Sequence, residues 1–145
     1  MPPFRFSLQQ VLEYRIQLED QAKTLLAKIQ AERMAAERRL EDLQALLLEQ
    51  EQSLYSDNLY MQERWLREHY VKGLRADIAH TSIVIAQLIK QVEAARAELV
   101  IKSKERKVLD KFREKQAQRH AHEELLQEQR TYDEIASTRF KATAF

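Results

Sequence analysis

The chain has 145 residues, 44% of them hydrophobic and 32% charged, with one glycine, two prolines and no cysteine. Turns and tight loops draw on Gly and Pro, so this composition excludes a multi-stranded sheet, a Gly-rich phosphate loop, a dinucleotide-binding turn and a Cys-based metal or redox site. With 24 Lys and Arg against 23 Asp and Glu, a net charge of +1, no global electrostatic argument points to nucleic acid or anionic lipid.

The first residues, Met1 to Ser7, lack the apolar stretch of a secretory signal. The longest uncharged run, Ile78 to Ile89, is 12 residues, short of the about 20 that a membrane span needs. A soluble, cytoplasmic chain is expected.

The first helix is signalled at Ser7. It can cap the helix, and Gln10 three residues on completes an S-x-x-Q capping box. Phe6 and Val11 form the matching hydrophobic staple. From about Leu8 the apolar residues follow helical spacing. Leu8, Val11, Leu18, Ala22, Leu25 and Ile29 make one stripe, and Ala36, Leu40, Leu43, Leu47 and Leu54 continue it after a slight shift of face. Arg15 and Arg33 interrupt the seam.

The second half is more regular. Leu74, Ile78, Thr81, Ile85, Leu88, Val92, Ala95 and Leu99 alternate steps of four and three, the pattern of a helix that supercoils against a partner. Beyond Leu99 the stripe thins to Val108, Leu109 and Phe112. It nearly vanishes over Arg113 to Glu124 and returns weakly at Leu125, Leu126, Tyr132 and Ile135. A helix that is polar all round buries no face of its own, so this part is expected to fray or to be held by another molecule.

Two places compete for the reversal between the helices. Ser56-Asp57-Asn58 has turn chemistry, and Gly73, the only glycine, stands at mid-chain. A turn between about Leu54 and Met61 pairs Leu-rich stretches and is favoured, which makes Gly73 a tolerated mid-helix residue. The expected fold is all-α: a single antiparallel two-helix coiled-coil hairpin over residues 1–145, with a helix at about 8–54, a turn at about 55–61 and a helix at about 62–138.

Such a hairpin offers no cleft for catalysis. His120 and His122 point about 200° apart on a helix and do not share an ion, and His69 and His80 lack further ligands. No enzyme activity, cofactor, metal or small-molecule substrate is expected. Lys102 to Arg119 carries eight basic residues against three acids, and Glu123 to Glu134 five acids against Arg130 alone. The basic block fits a solvated face, contact with an acidic protein surface, or nucleic acid. The aromatics Tyr55, Tyr60, Trp65 and Tyr70 gather near the proposed turn, where they serve either packing or an interface.

Three stretches together resemble the flagellar FliJ family of the bacterial type III export apparatus. They are Phe4-x-Phe6-x-Leu8-Gln9-x-Val11-Leu12-x-x-Arg15, then Tyr70-Val71-x-x-Leu74-x-x-x-Ile78, and finally Ser103 to Leu109 with Tyr132 to Ala136. The resemblance implies a hairpin similar to the central stalk of rotary ATPases. It further implies a non-enzymatic partner of the hexameric export ATPase that promotes its assembly and activity and engages the export gate and export chaperones. No nucleic acid is expected, and the membrane is met only through the apparatus, at the inner face of the cell membrane. Carried onto this chain, the ATPase contacts fall on Phe4, Phe6, Lys104, Arg106, Asp133 and Phe140, and the gate contacts on Tyr70, Leu74, Asp77 and Thr81. Two alternatives remain: a basic coiled coil that binds nucleic acid, and a generic scaffold or tether. Virulence-type secretion machines contain similar stalks.

Overall fold

Few breakers and a sustained three-and-four spacing leave the backbone one economical way to satisfy its hydrogen bonds, within helices. A computed structural model describes residues 2–56 and 60–143 and contains two of them. The first, α1, is Gln9–Ser56, and the second, α2, is Met61–Thr143. They pack against each other as an all-α helical hairpin, and no strand is present among the described residues. Asp57, Asn58 and Leu59, which carry part of the expected turn, lie outside the described residues. Gly73 lies inside α2 with no positive φ.

The two helix starts are made differently. The Gln9 N–H donates to the Phe6 carbonyl at 3.2 Å, so the chain enters α1 through a turn at Ser7 and Leu8. Of the expected staple pair, Val11 is 41% exposed and Phe6 is buried edge-on against Phe112 of α2. At α2 the Arg64 N–H donates to the Tyr60 carbonyl at 3.0 Å. Glu63 in its first turn and Lys141 in its last both complement the helix dipole.

The chain divides into two compact units, Gln21–Val100 and Met1–Asp20 with Ile101–Phe145. In the Gln21–Val100 unit, the inward positions of α1 are Ala22, Leu26, Ile29, Arg33, Ala36, Leu40, Leu43, Leu47, Gln50 and Leu54. Those of α2 are Arg67, Val71, Leu74, Ile78, Thr81, Ile85, Leu88, Val92, Ala95 and Leu99. The α2 seam is the one its spacing predicts. On α1 the early stripe holds at Ala22 and Ile29 but shifts by one residue between them, where Leu25 is half exposed and Leu26 turns inward. Arg67 bonds to Ser53, and Arg75 to Glu51 at 2.7 Å, which fixes the antiparallel sense. Thr81 sits buried in the seam because its hydroxyl donates to the Asp77 carbonyl at 2.7 Å, leaving only its methyl to pack.

In the other unit the seam changes character. Leu12 is 1% exposed and replaces the expected Val11, but its seam neighbours are Arg15 and Glu19, facing Glu105 and Arg106. Phe6–Phe112 and Arg15–Glu105 give this unit its antiparallel sense as well. The C-terminal part, expected to fray or to be held by another molecule, is helical here, and α2 runs unbroken to Thr143.

Candidate partner-binding surfaces

A carboxylate buried in a helix seam is costly unless it is paired. Glu19, 5% exposed, is paired with Arg106, which also binds Asp110 one helical turn further on. Arg15 bonds to Glu105 beside them. The bonds to Glu19 and then Asp110 hold the Arg106 guanidinium above its ordinary pKa, against the opposing effect of desolvation. This cluster therefore ties α1 to α2 with fixed charges. It also absorbs two of the three acids in the basic block, Glu105 and Asp110. Lys104, Lys107, Lys111 and Lys115 stay exposed on the outward side of α2, opposite the seam.

Ahead of α1, Pro2 to Phe6 run as an extended arm along α2. His120 Nε2 lies 3.1 Å from the Pro2 carbonyl, and the Phe4 ring meets the His120 imidazole at 5.6 Å between centroids. Phe6 meets Phe112 at 5.8 Å and an interplanar angle of 66°. Pro2 and Phe4 share an open groove with Gln116, His120 and Glu123, and Phe4 borders a second groove with Arg113 and Ala117. The arm thus covers part of the stretch of α2 that has almost no apolar residues of its own.

Beyond His120 the same helix has no α1 residue alongside it. Every described side chain from 125 to 141 is exposed, including Leu125, Leu126, Tyr132, Ile135 and Phe140 at 40% to 75%.

The residues assigned to ATPase contact accordingly fall into two groups within this unit. Lys104, Asp133 and Phe140 are exposed, whereas Phe6 is buried, Phe4 is partly covered and Arg106 is paired with Glu19 and Asp110. The residues assigned to the gate lie in the Gln21–Val100 unit and are also mixed. Tyr70 and Asp77 are exposed, whereas Leu74 and Thr81 are buried in the seam. Nearby, Tyr55, Tyr60, Met61, Trp65 and Leu66 are all more than half exposed. Trp65 makes a T-shaped contact with His69 at 4.0 Å, so the tip aromatics mostly face solvent. Of the residues expected to pair with the Leu-rich stretch 40–54, Val71 and Leu74 are buried, whereas Met61, Trp65 and Leu66 face outward and border an open groove with Gln62.

No group of three or more His, Cys, Asp or Glu side chains fit to hold a metal ion occurs among the described residues. No described helix is long and apolar enough to cross a membrane.

A family model described as "Flagellar FliJ protein" matches residues 4–144. The chain belongs to the FliJ family. No curated protein and no solved structure matches it. Membership makes the chain a component of the flagellar export apparatus. The paired seam, the arm and the α2 overhang are thus features of an export protein, and the match begins at Phe4, inside the docked arm.

Proposed function

We propose that the protein is the non-enzymatic stalk of the flagellar type III export machine. In this reading the unit holding both termini inserts into the ring of the hexameric export ATPase and promotes its assembly and turnover. The Gln21–Val100 unit engages the export gate, and export chaperones bind along the helices. The observation that carries this reading is the C-terminal part of α2, which presents Leu125, Leu126, Tyr132 and Ile135 at 40% to 70% exposure. Apolar side chains at that density mark a surface built for a macromolecule. On the ATPase side, Lys104, Asp133 and Phe140 make direct contact, with Phe4, Phe6 and Arg106 joining them. At the gate, Tyr70 and Asp77 make contact from a helix face that Leu74 and Thr81 hold in register. A stalk of this kind does no chemistry and works by binding some subunit conformations better than others.

The test is a titration of the cognate ATPase with the purified chain. The chain hydrolyses no ATP and raises the turnover and ring population of the ATPase. An unchanged rate and unchanged ring population at saturating chain would defeat the proposal.

The outward row Lys104, Lys107, Lys111 and Lys115 favours one second reading, direct binding of a nucleic acid. That reading requires affinity for duplex or single-stranded oligonucleotides that falls steeply with salt, measured by fluorescence anisotropy at two salt concentrations.

A further inference from the structure

Two of the side chains assigned to ATPase contact, Phe4 and Phe6, belong to the arm that is folded down on α2. Phe6 is only 7% exposed, with its ring edge-on to Phe112. Phe4 lies against His120 and between the two grooves bordered by Arg113, Gln116, Ala117 and Glu123. In this state the chain's own helix occupies the apolar faces that a ring subunit would need.

The arm is built to dock and to leave. Pro2 and Pro3 restrict its backbone to an extended form, so little conformational freedom is lost on docking. A proline also has no N–H to donate, so the Pro2-Pro3 pair cannot add backbone donors to the contact. Among the described residues, the polar link from α2 is the His120 ring to the Pro2 carbonyl. Docking of the described arm therefore rests on two aromatic contacts and one hydrogen bond, few enough for local opening to compete.

We propose that the Pro2–Phe6 arm is an autoinhibitory strap. Docked, it withholds Phe6 and part of Phe4 and lies against Phe112 and His120. Released, it gives both sets of aromatics to the ATPase ring. The proposal rests on the ATPase reading above and adds a regulation to it: apparent affinity for the ring is lowered by the fraction of molecules whose arm is down.

The experiment uses full-length chain carrying Pro2→Cys and Glu123→Cys, in a background that has no other cysteine. Neither residue is among the assigned contacts, and both border the same groove. A short bis-methanethiosulfonate reagent bridges the two thiols and is removed by reductant. Single-cysteine chains treated in the same way serve as controls. The bridged chain should need about tenfold or more higher concentration for half-maximal ATPase stimulation, and reduction should restore the unbridged value. His120→Ala removes the hydrogen bond and the tilted ring contact with Phe4 at a partly exposed position. It should lower the half-maximal concentration by about twofold to threefold. Equal stimulation by bridged and reduced chains overturns the strap while leaving the ATPase reading intact. Failure of the wild-type chain to stimulate at all overturns that reading, and the strap's regulatory role with it.

Discussion

The Gln21–Val100 unit and the unit that joins the two termini use the same antiparallel geometry with different chemistry at the interface. In the first, inward positions are mostly Leu, Ile, Val and Ala, with Val92 at 1% and Leu74 at 4% exposure. In the second, a single fully buried leucine, Leu12, sits among Arg15, Glu19, Glu105, Arg106 and Asp110, with Phe6 and Phe112 closing the end. Apolar burial is non-directional and tolerates small sliding motions. Paired buried charges gain little net stability but penalise wrong alignments heavily. The first unit is accordingly the source of stability. The second fixes register and opens more readily, which suits an end that must exchange its own contacts for those of a partner.

The largest expected effect tests the source of stability. Leu88→Ala deletes a buried seam side chain and should cost about 3 kcal/mol, read by chemical denaturation. A loss under about 1 kcal/mol would mean that the apolar seam does not carry the unit. Next in size is the charged cluster. Glu19→Ala removes the cross-helix partner of Arg106 and leaves it bonded to Asp110 on its own helix, so amide exchange should accelerate around residues 12–20 and 102–110 and stay unchanged around 74–95. Replacing Glu19 and Arg106 together by Met should restore or exceed wild-type protection, as buried pairs exchanged for packed apolar groups often do. Protection that stays low in the double variant would show that the pair contributes net stability rather than register.

How much of this was legible in the sequence follows the same division. The α2 seam from Leu74 to Leu99 could be read directly, because seven of its eight positions are apolar and the eighth, Thr81, hides its hydroxyl on a backbone carbonyl. The start of α1 could not. Its seam positions include Arg15 and Glu19, so a search for apolar periodicity slides one residue to Val11 and Leu25, both of which face outward. Only the partners, some 90 positions away, show why those charges turn inward. The docked arm was hidden for a similar reason. Phe6 has a nearby apolar candidate in Val11 of α1, but it meets Phe112, a contact set by long-range register. The uncovered overhang, by contrast, was visible as a stripe that thins and returns. Its continuous helicity reflects good helix formers without breakers.

A smaller change can widen the contrast from the stable side. Gly73 lies within α2 at an ordinary negative φ, and a Cβ built there meets nothing within 4 Å. Gly73→Ala therefore removes backbone freedom from the unfolded chain with no steric cost and should stabilise the Gln21–Val100 unit by about 1 kcal/mol. Denaturation midpoint is the readout, and a destabilised variant would place an unrecognised partner or bend at that turn of the helix.

The smallest expected effect separates the units by salt and pH. Raising salt to about 1 M shortens the screening length to about 3 Å, which weakens half-exposed pairs such as Arg15–Glu105 but leaves apolar burial intact or slightly strengthened. Exchange around residues 12–20 and 102–110 should quicken by about twofold, while that around 74–95 holds or slows. Arg106 adds no pH dependence to this comparison near neutrality. Its pKa is raised in the folded state, so its contribution is fully present below its ordinary value and is lost only as pH rises through the raised one. Both lie in strong base. A salt response with no change between pH 6 and 9 would therefore assign the lability of the terminal unit to screened charge pairs. Equal salt responses in both units would erase the distinction between them.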